Sequence, residues 1–324
     1  MSSGSRAVEE QIRLAASLLR SGKLVAFPTE TVYGLGANAL DADAVARIFE
    51  AKGRPSSSPV IVHVSNMAMA QTVAAEWPEE AAVLARAFWP GPLTLVLTKQ
   101  PAVPSIVTAG LPTVGVRMPD HPVALALIEA AQVPVAAPSA NRFSMLSPTT
   151  AEHVRRSLGD RVDYVLDGGP CTVGIESTVL SLTGDEPVLL RPGGISRSQI
   201  EDLIGPIGRL TEAPAHAHPS PGMHPQHYSP RTKLVLVSGG EVPRSGGGAY
   251  LQLHHRPQGE VMEIVHMPTD AVGYAVQLYR VLHDLDALDY DWIAVDSPES
   301  TPEWEAVLDR LKRAAHRAPE STRK

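Results

Sequence analysis

Cysteine is all but missing: Cys171 stands alone among 324 residues, which excludes an internal disulfide and fits a reducing compartment such as the cytoplasm. Long apolar runs are missing too, and nothing approaches the ~20 residues a bilayer-spanning helix needs. The first turns mix Arg6, Glu9, Glu10, Arg13 and Arg20 with apolar residues, so the apolar stretch of a signal peptide is absent. Basic residues are outnumbered, 28 against 35, and the formal net charge of -7 gives no general attraction for nucleic acid. Neither the part before residue 230 nor the part after it is a basic module, so any nucleic-acid contact needs a local patch. Lysine is scarce, so one in a suggestive place stands out. No Gly-x-x-x-x-Gly-Lys string followed by Ser or Thr occurs, which removes a Walker loop. What remains, 44% apolar and 19% charged, is the balance of a folded soluble protein.

Helical spacing of Val8, Ile12, Ala15, Ala16 and Leu19 predicts a first helix, stopped at Gly22. Leu24–Phe27 reads as a buried strand, Thr29–Asn38 as a polar loop, and Asp41–Ala51 as a helix with Val45, Ile48 and Phe49 on one face. Strands are expected at 59–64, 93–98, 113–117, 133–137, 162–166, 177–182 and 187–190, with helices at 79–88, 122–131 and 150–158. Strands and helices interleaved without strict alternation predict an α/β domain on a mixed sheet. Five prolines between Pro214 and Pro230 rule out a regular helix or central strand there. The expected organisation is therefore a domain over 1–210, a linker over 211–230, and a smaller α/β domain over 231–324. In the latter, strands are expected at 233–237, 249–253, 261–265 and 292–295, and helices at 271–285 and 302–315.

Gly34-Leu35-Gly36-Ala37-Asn38-Ala39 has the letters of a dinucleotide fingerprint, but Pro28–Tyr33 separates it from the strand, so the tight turn is lost. Lys52 extends the apolar face of its helix, with Gly53 as a stop and Arg54 beyond. Cations there either complement the helix dipole or clamp a polyphosphate. Ser139, Asn141 and Ser147 follow a strand end, where ligands bind in open α/β sheets; Thr149 and Glu152 read as a helix cap and its box. Thr31 sits in a loop that turn formation alone would explain, and His63 alternates within a strand as core histidines do. Arg117 and Arg191 end apolar strands and suit either surface ion pairs or a carboxylate and a phosphate. His216, His218, His224 and His227 are separated by prolines, which denies a fixed metal geometry. Hydroxyls, one amide and Lys/Arg at element ends suit positioning of phosphates better than covalent or acid–base catalysis.

Seven strings, in order and spacing, resemble the threonylcarbamoyl-AMP synthase (YrdC-like) family. They are Phe27–Gly36, Lys52-Gly53-Arg54-Pro55, Phe88–Thr94, Val116-Arg117-Met118-Pro119, Pro138-Ser139-Ala140-Asn141, Glu176-Ser177-Thr178-Val179 and Leu190-Arg191-Pro192-Gly193. Ser220-Pro221-Gly222-Met223 with His227-Tyr228 resembles the linker of the two-domain form. The resemblance implies a YrdC-like twisted open mixed sheet with a concave cavity, then a smaller Rossmann-like domain. It implies a nucleotidyltransferase that makes threonylcarbamoyl-AMP and pyrophosphate from L-threonine, bicarbonate and ATP, with magnesium carried by ATP. The product would pass to the tRNA threonylcarbamoyl transferase machinery, with at most a weak direct contact with tRNA.

Carried over by position, Lys52 and Arg54 act in catalysis and hold phosphates with Arg191. Ser58, Thr113, Ser139, Asn141, Ser147 and Tyr228 line ATP, and Thr31, His63, Arg117 and Ser177 surround threonine. Ser58 stands where the family often has asparagine, Arg142-Phe143-Ser144 lacks a usual glycine, and His224-Pro225-Gln226 replaces a basic linker stretch. The competing readings are an ATP hydrolase and an RNA-binding module on the same cavity.

Overall fold

A computed structural model describes residues 3–210 and 228–316. They fall into two compact units, 3–143 with 148–210, and 144–147 with 228–316. The linker strings at 220–223 and the four linker histidines lie outside the described residues.

The first unit runs α1 (Ser3–Arg20), β1 (Val25–Phe27), β2 (Gly34–Asn38), α2 (Ala42–Lys52), β3 (Val62–His63), α3 (Met67–Val73), α4 (Glu79–Phe88), β4 (Leu93–Thr98) and β5 (Thr113–Arg117). It continues with α5 (Pro122–Ala131), β6 (Val135–Ala136), α6 (Ala151–Leu158), β7 (Tyr164–Val165), β8 (Thr178–Ser181), β9 (Val188–Arg191), α7 (Arg197–Ile204) and β10 (Gly208–Arg209). Its strands form one twisted mixed sheet in the order β10-β9-β8-β4-β5-β3-β6-β2-β1-β7. Both faces are covered. Val25, Phe27 and Val135 join a cluster with Leu19, Leu127 and Ile128. Their neighbours Ala26 and Ala136 join the larger cluster with Leu35, Ile48, Val62 and Leu95. Alternate residues of one strand point to opposite faces, so β1 and β6 each feed both clusters.

β2 overturns the expected loop over Thr29–Asn38. Its glycines hid it, because they lower strand preference. They are there for packing: a Cβ on Gly36 would stand 2.8 Å from the Phe27 ring and from Val135. The apparent dinucleotide fingerprint is therefore a buried strand. A second correction concerns α6, whose cap is Thr150, accepting from the His153 amide, rather than Thr149 with a Glu152 box. Helices α3 and α7 were not expected; α7 carries its own capping box, Ser196 with Gln199.

The second unit holds β11 (Lys233–Val237), β12 (Gly248–Gln252), β13 (Glu263–His266), α8 (Ala271–Asp286), β14 (Trp292–Asp296) and α9 (Glu305–Ala315). Its four strands are all parallel, ordered β11-β14-β12-β13. The buried Asp296 carboxylate accepts from the Leu253, His254 and His255 amides, fixing the loop after β12.

Candidate active site

α2 delivers the first cations. Asp41 caps its start, accepting from the Asp43 and Ala44 amides, and Gly53 ends it at φ 63°, a left-handed cap that glycine adopts without strain. Val45, Ile48 and Phe49 bury one face, and Lys52 continues it, only 3% exposed. Its Nζ donates to the Ser139 carbonyl at 2.5 Å and to the Asn141 carbonyl. Burial, and then the charge of Arg54, push the Lys52 pKa well below the usual lysine value. A lysine that merely complemented a helix dipole would sit in water; this one does not.

The turn at Gly53 aims Arg54 at a second set of partners. Its Nη2 donates to Ser58 Oγ at 2.6 Å and the Pro59 carbonyl at 2.9 Å, and its guanidinium lies over the Phe143 ring. The Phe143 amide donates to the Lys52 carbonyl at 2.9 Å, so the 52–54 turn and the 139–143 loop are tied together. Ser139 is bridged to Gly34 on β2, and Asn141 Nδ2 donates to the Arg142 carbonyl at 2.8 Å. Ser144, in the stretch Arg142-Phe143-Ser144, takes φ 65°, the region glycine favours.

A second group collects at one end of five adjacent strands: Arg191 from β9, Ser177 before β8, Thr94 from β4, Arg117 from β5 and His63 from β3. The register pairs His63 directly with Arg117. Arg117 Nη2 lies 2.7 Å from Glu30 Oε1, Nη1 donates to Thr31 Oγ1 at 2.9 Å, and Nε to the Gly91 carbonyl at 3.3 Å. The Glu30 contact is close but out of line for a hydrogen bond, so the attraction there is chiefly Coulombic. Burial, and secondarily the Arg117 charge, lower the His63 pKa to about 3, so its imidazole is neutral at pH 7. Ser177 Oγ stands 2.8 Å from Thr94 Oγ1, and Arg191 donates to the Ser177 carbonyl from Nε at 3.1 Å and Nη2 at 3.0 Å. Arg117 and Arg191 are both buried, which settles against surface ion pairs.

Thr113, at the start of β5, lines a pocket with Pro59, Ile61, Thr94, Gly115 and Val179. Ser147 and Tyr228 fall in the second unit. His283 Nε2 is 3.1 Å from the Ser147 carbonyl, and the Tyr228 ring packs on Tyr279 and beneath the Arg310 guanidinium. Sequence reasoning missed Thr29, Glu30 and Thr94. A charged residue placed between two threonines directly after a buried strand was the signal for the first two. Among the described residues no three His, Cys, Asp or Glu side chains gather to hold a metal, and no helix is long and apolar enough to cross a membrane.

Two family models divide the chain between them. One, described as telomere recombination and grouping Sua5, YciO and YrdC, matches residues 17–193. The other, described as the threonylcarbamoyl-AMP synthase C-terminal domain, matches residues 195–316. This chain belongs to the threonylcarbamoyl-AMP synthase family. It is 43% identical over 325 residues to the threonylcarbamoyl-AMP synthase of Pyrococcus abyssi, covering 96% of this chain and 95% of that one. Identity to the Bacillus subtilis threonylcarbamoyl-AMP synthase is also 43%, over 95% and 93% of the two chains. The crystal structure of P. abyssi Sua5 complexed with L-threonine superposes with a TM-score of 0.87 at 41% identity, covering 95% of this chain and 94% of that one.

Proposed function

We propose that this protein is an enzyme that joins L-threonine, bicarbonate and ATP into threonylcarbamoyl-AMP and releases pyrophosphate, supplying an activated carbamate for tRNA modification in the cytoplasm. The amine of threonine adds to the carbon of bicarbonate or its carbon dioxide, and loss of water or a proton leaves a carbamate. A carbamate oxygen attacks the α-phosphorus of ATP as the bond to the β-phosphate oxygen breaks. Pyrophosphate departs with the magnesium that ATP brought.

The observation that carries this reading is the buried cationic pair Lys52 and Arg54, set against the 139–143 loop. Burial, and then repulsion between the two side by side, disfavour the charged form of Lys52, and a bound polyphosphate favours the charged form of both. In this reading Lys52, Arg54 and Arg191 take the phosphates, and Ser58, Thr113, Ser139 and Asn141 line the nucleotide. Arg117 takes the threonine carboxylate, with Thr31, His63 and Ser177 around the rest. Ser147 and Tyr228 are read as further nucleotide contacts.

The test is pyrophosphate release from ATP, measured with threonine or bicarbonate omitted in turn. Release is expected only with both present, and Lys52→Ala should abolish most of it without lowering the melting temperature in step. Equal release with either omitted overturns the assignment in favour of ATP hydrolysis.

A further inference from the structure

Thr29 is buried beside the residues assigned to threonine, yet nothing above gives it a task. Its hydroxyl has one proton, and that proton has one destination. Thr29 Oγ1 lies 2.6 Å from the Val32 carbonyl oxygen, a group that can only accept. Thr29 Oγ1 itself accepts the Thr31 and Val32 amides, two long contacts of 3.2 Å each. With its own proton on Val32, Thr29 can only accept in the 2.9 Å contact between the two hydroxyls, the shortest of the three donations it receives, and the two long amide contacts share its other lone pair. Thr31 Oγ1 in turn receives Arg117 Nη1, a group that can only donate, at 2.9 Å. The proton of Thr31 is thus committed to Thr29, and any lone pair of Thr31 not engaged by Arg117 can meet a ligand only as an acceptor.

We infer that Thr29 is a positioning residue that fixes Thr31 as a hydrogen-bond acceptor for a donor group of L-threonine, its ammonium or its hydroxyl, next to the carboxylate held by Arg117. The inference rests on the proposed synthase reaction. It adds a direction to the site: Arg117 donates to the substrate, and Thr31 accepts from it. An amino acid offering an acceptor at that place would meet a lone pair with a lone pair. Glu30 completes the support from behind. Its Oε1 lies 2.7 Å from Arg117 Nη2, so it serves Arg117 as a buried counter-ion.

The experiment compares wild type, Thr29→Val and Thr29→Ser for threonine and ATP dependence of adenylate formation. Valine keeps the shape and loses the hydroxyl; serine keeps the hydroxyl. Thr29→Val is expected to raise the KM for threonine about fivefold or more. The KM for ATP should stay unchanged, and Thr29→Ser should restore the wild-type value. L-2-aminobutyrate, which keeps the ammonium and lacks the hydroxyl, separates the two donors. A penalty that persists with it assigns the ammonium, and one that vanishes assigns the hydroxyl. If Thr29→Val does not fold, Thr29→Ala carries the same comparison. An unchanged KM for threonine, or equal rises for threonine and ATP, overturns the inference. A wild-type protein that makes no threonine-dependent adenylate overturns the synthase reading instead, so the two failures are told apart.

Discussion

His63 shows what burial does to a single side chain. In the unfolded chain its imidazole titrates near 6.5, whereas in the fold it stays neutral down to about 3. Between those values the unfolded state binds a proton that the folded state refuses, so stability is lost as pH falls through that window. From pH 7 to pH 5 the loss from His63 is about 2 kcal/mol. His153, lowered to about 4, and His121, also lowered, add in the same direction. Denaturant midpoints measured at pH 7 and pH 5 should therefore draw together in His63→Gln relative to wild type. An identical pH dependence in the variant would mean that His63 is protonated in the folded protein. A neutral imidazole beside Arg117 also adds no second positive charge at that end of the sheet.

At the scale of elements, two glycines hold the site for different reasons. Gly53 sits at φ 63° with nothing within 4 Å of a would-be Cβ, so its role is conformational. Gly53→Ala should cost roughly 1 kcal/mol and shift Arg54, while the fold survives. Gly193, just after β9, lies against the backbone of Glu176, Ser177 and Thr178, where any Cβ would collide with main-chain atoms that cannot yield. That closeness lets Arg191 reach Ser177 with two donors. Gly193→Ala should destabilise by more than about 3 kcal/mol, the range of changes that break a special feature. Thermal or denaturant unfolding of the two variants checks the order, and a milder Gly193→Ala would mean that the β8–β9 pairing adjusts.

For the whole molecule, the net charge of -7 sets the behaviour toward polyanions. Four of the site's cations, Lys52, Arg54, Arg117 and Arg191, are buried at 7% exposure or less, and so add little to the outer field. ATP can be taken up by a local concentration of charge, whereas tRNA needs an extended basic surface. At ~150 mM salt, tRNA should show no retention at about 10 µM protein in a gel-shift or fluorescence titration, since non-specific binding of that strength requires many phosphate contacts. Tight, salt-sensitive binding would reveal a local basic patch and a direct role in presenting the product to tRNA.

Several features were legible without coordinates because they are local. α4, α5, β4, β5 and β11 begin and end at the residues expected from periodicity and punctuation. The same holds for Gly53 as a helix stop, and for Lys52 on an apolar face. Order and spacing of short strings carried the family. The fold alone decided three other matters. It turned the glycine-rich stretch into β2, because Phe27 and Val135 approach too closely for a side chain. It brought Arg191, Ser177, Thr94, Arg117 and His63 to one sheet end through a strand order that no sequence separation encodes. It also gave Thr29 and Glu30 their tasks, since the direction of a hydroxyl's proton and the partner of a buried carboxylate depend on neighbours 3 Å away in space, and Arg117 is 86 residues from Thr31 in the chain.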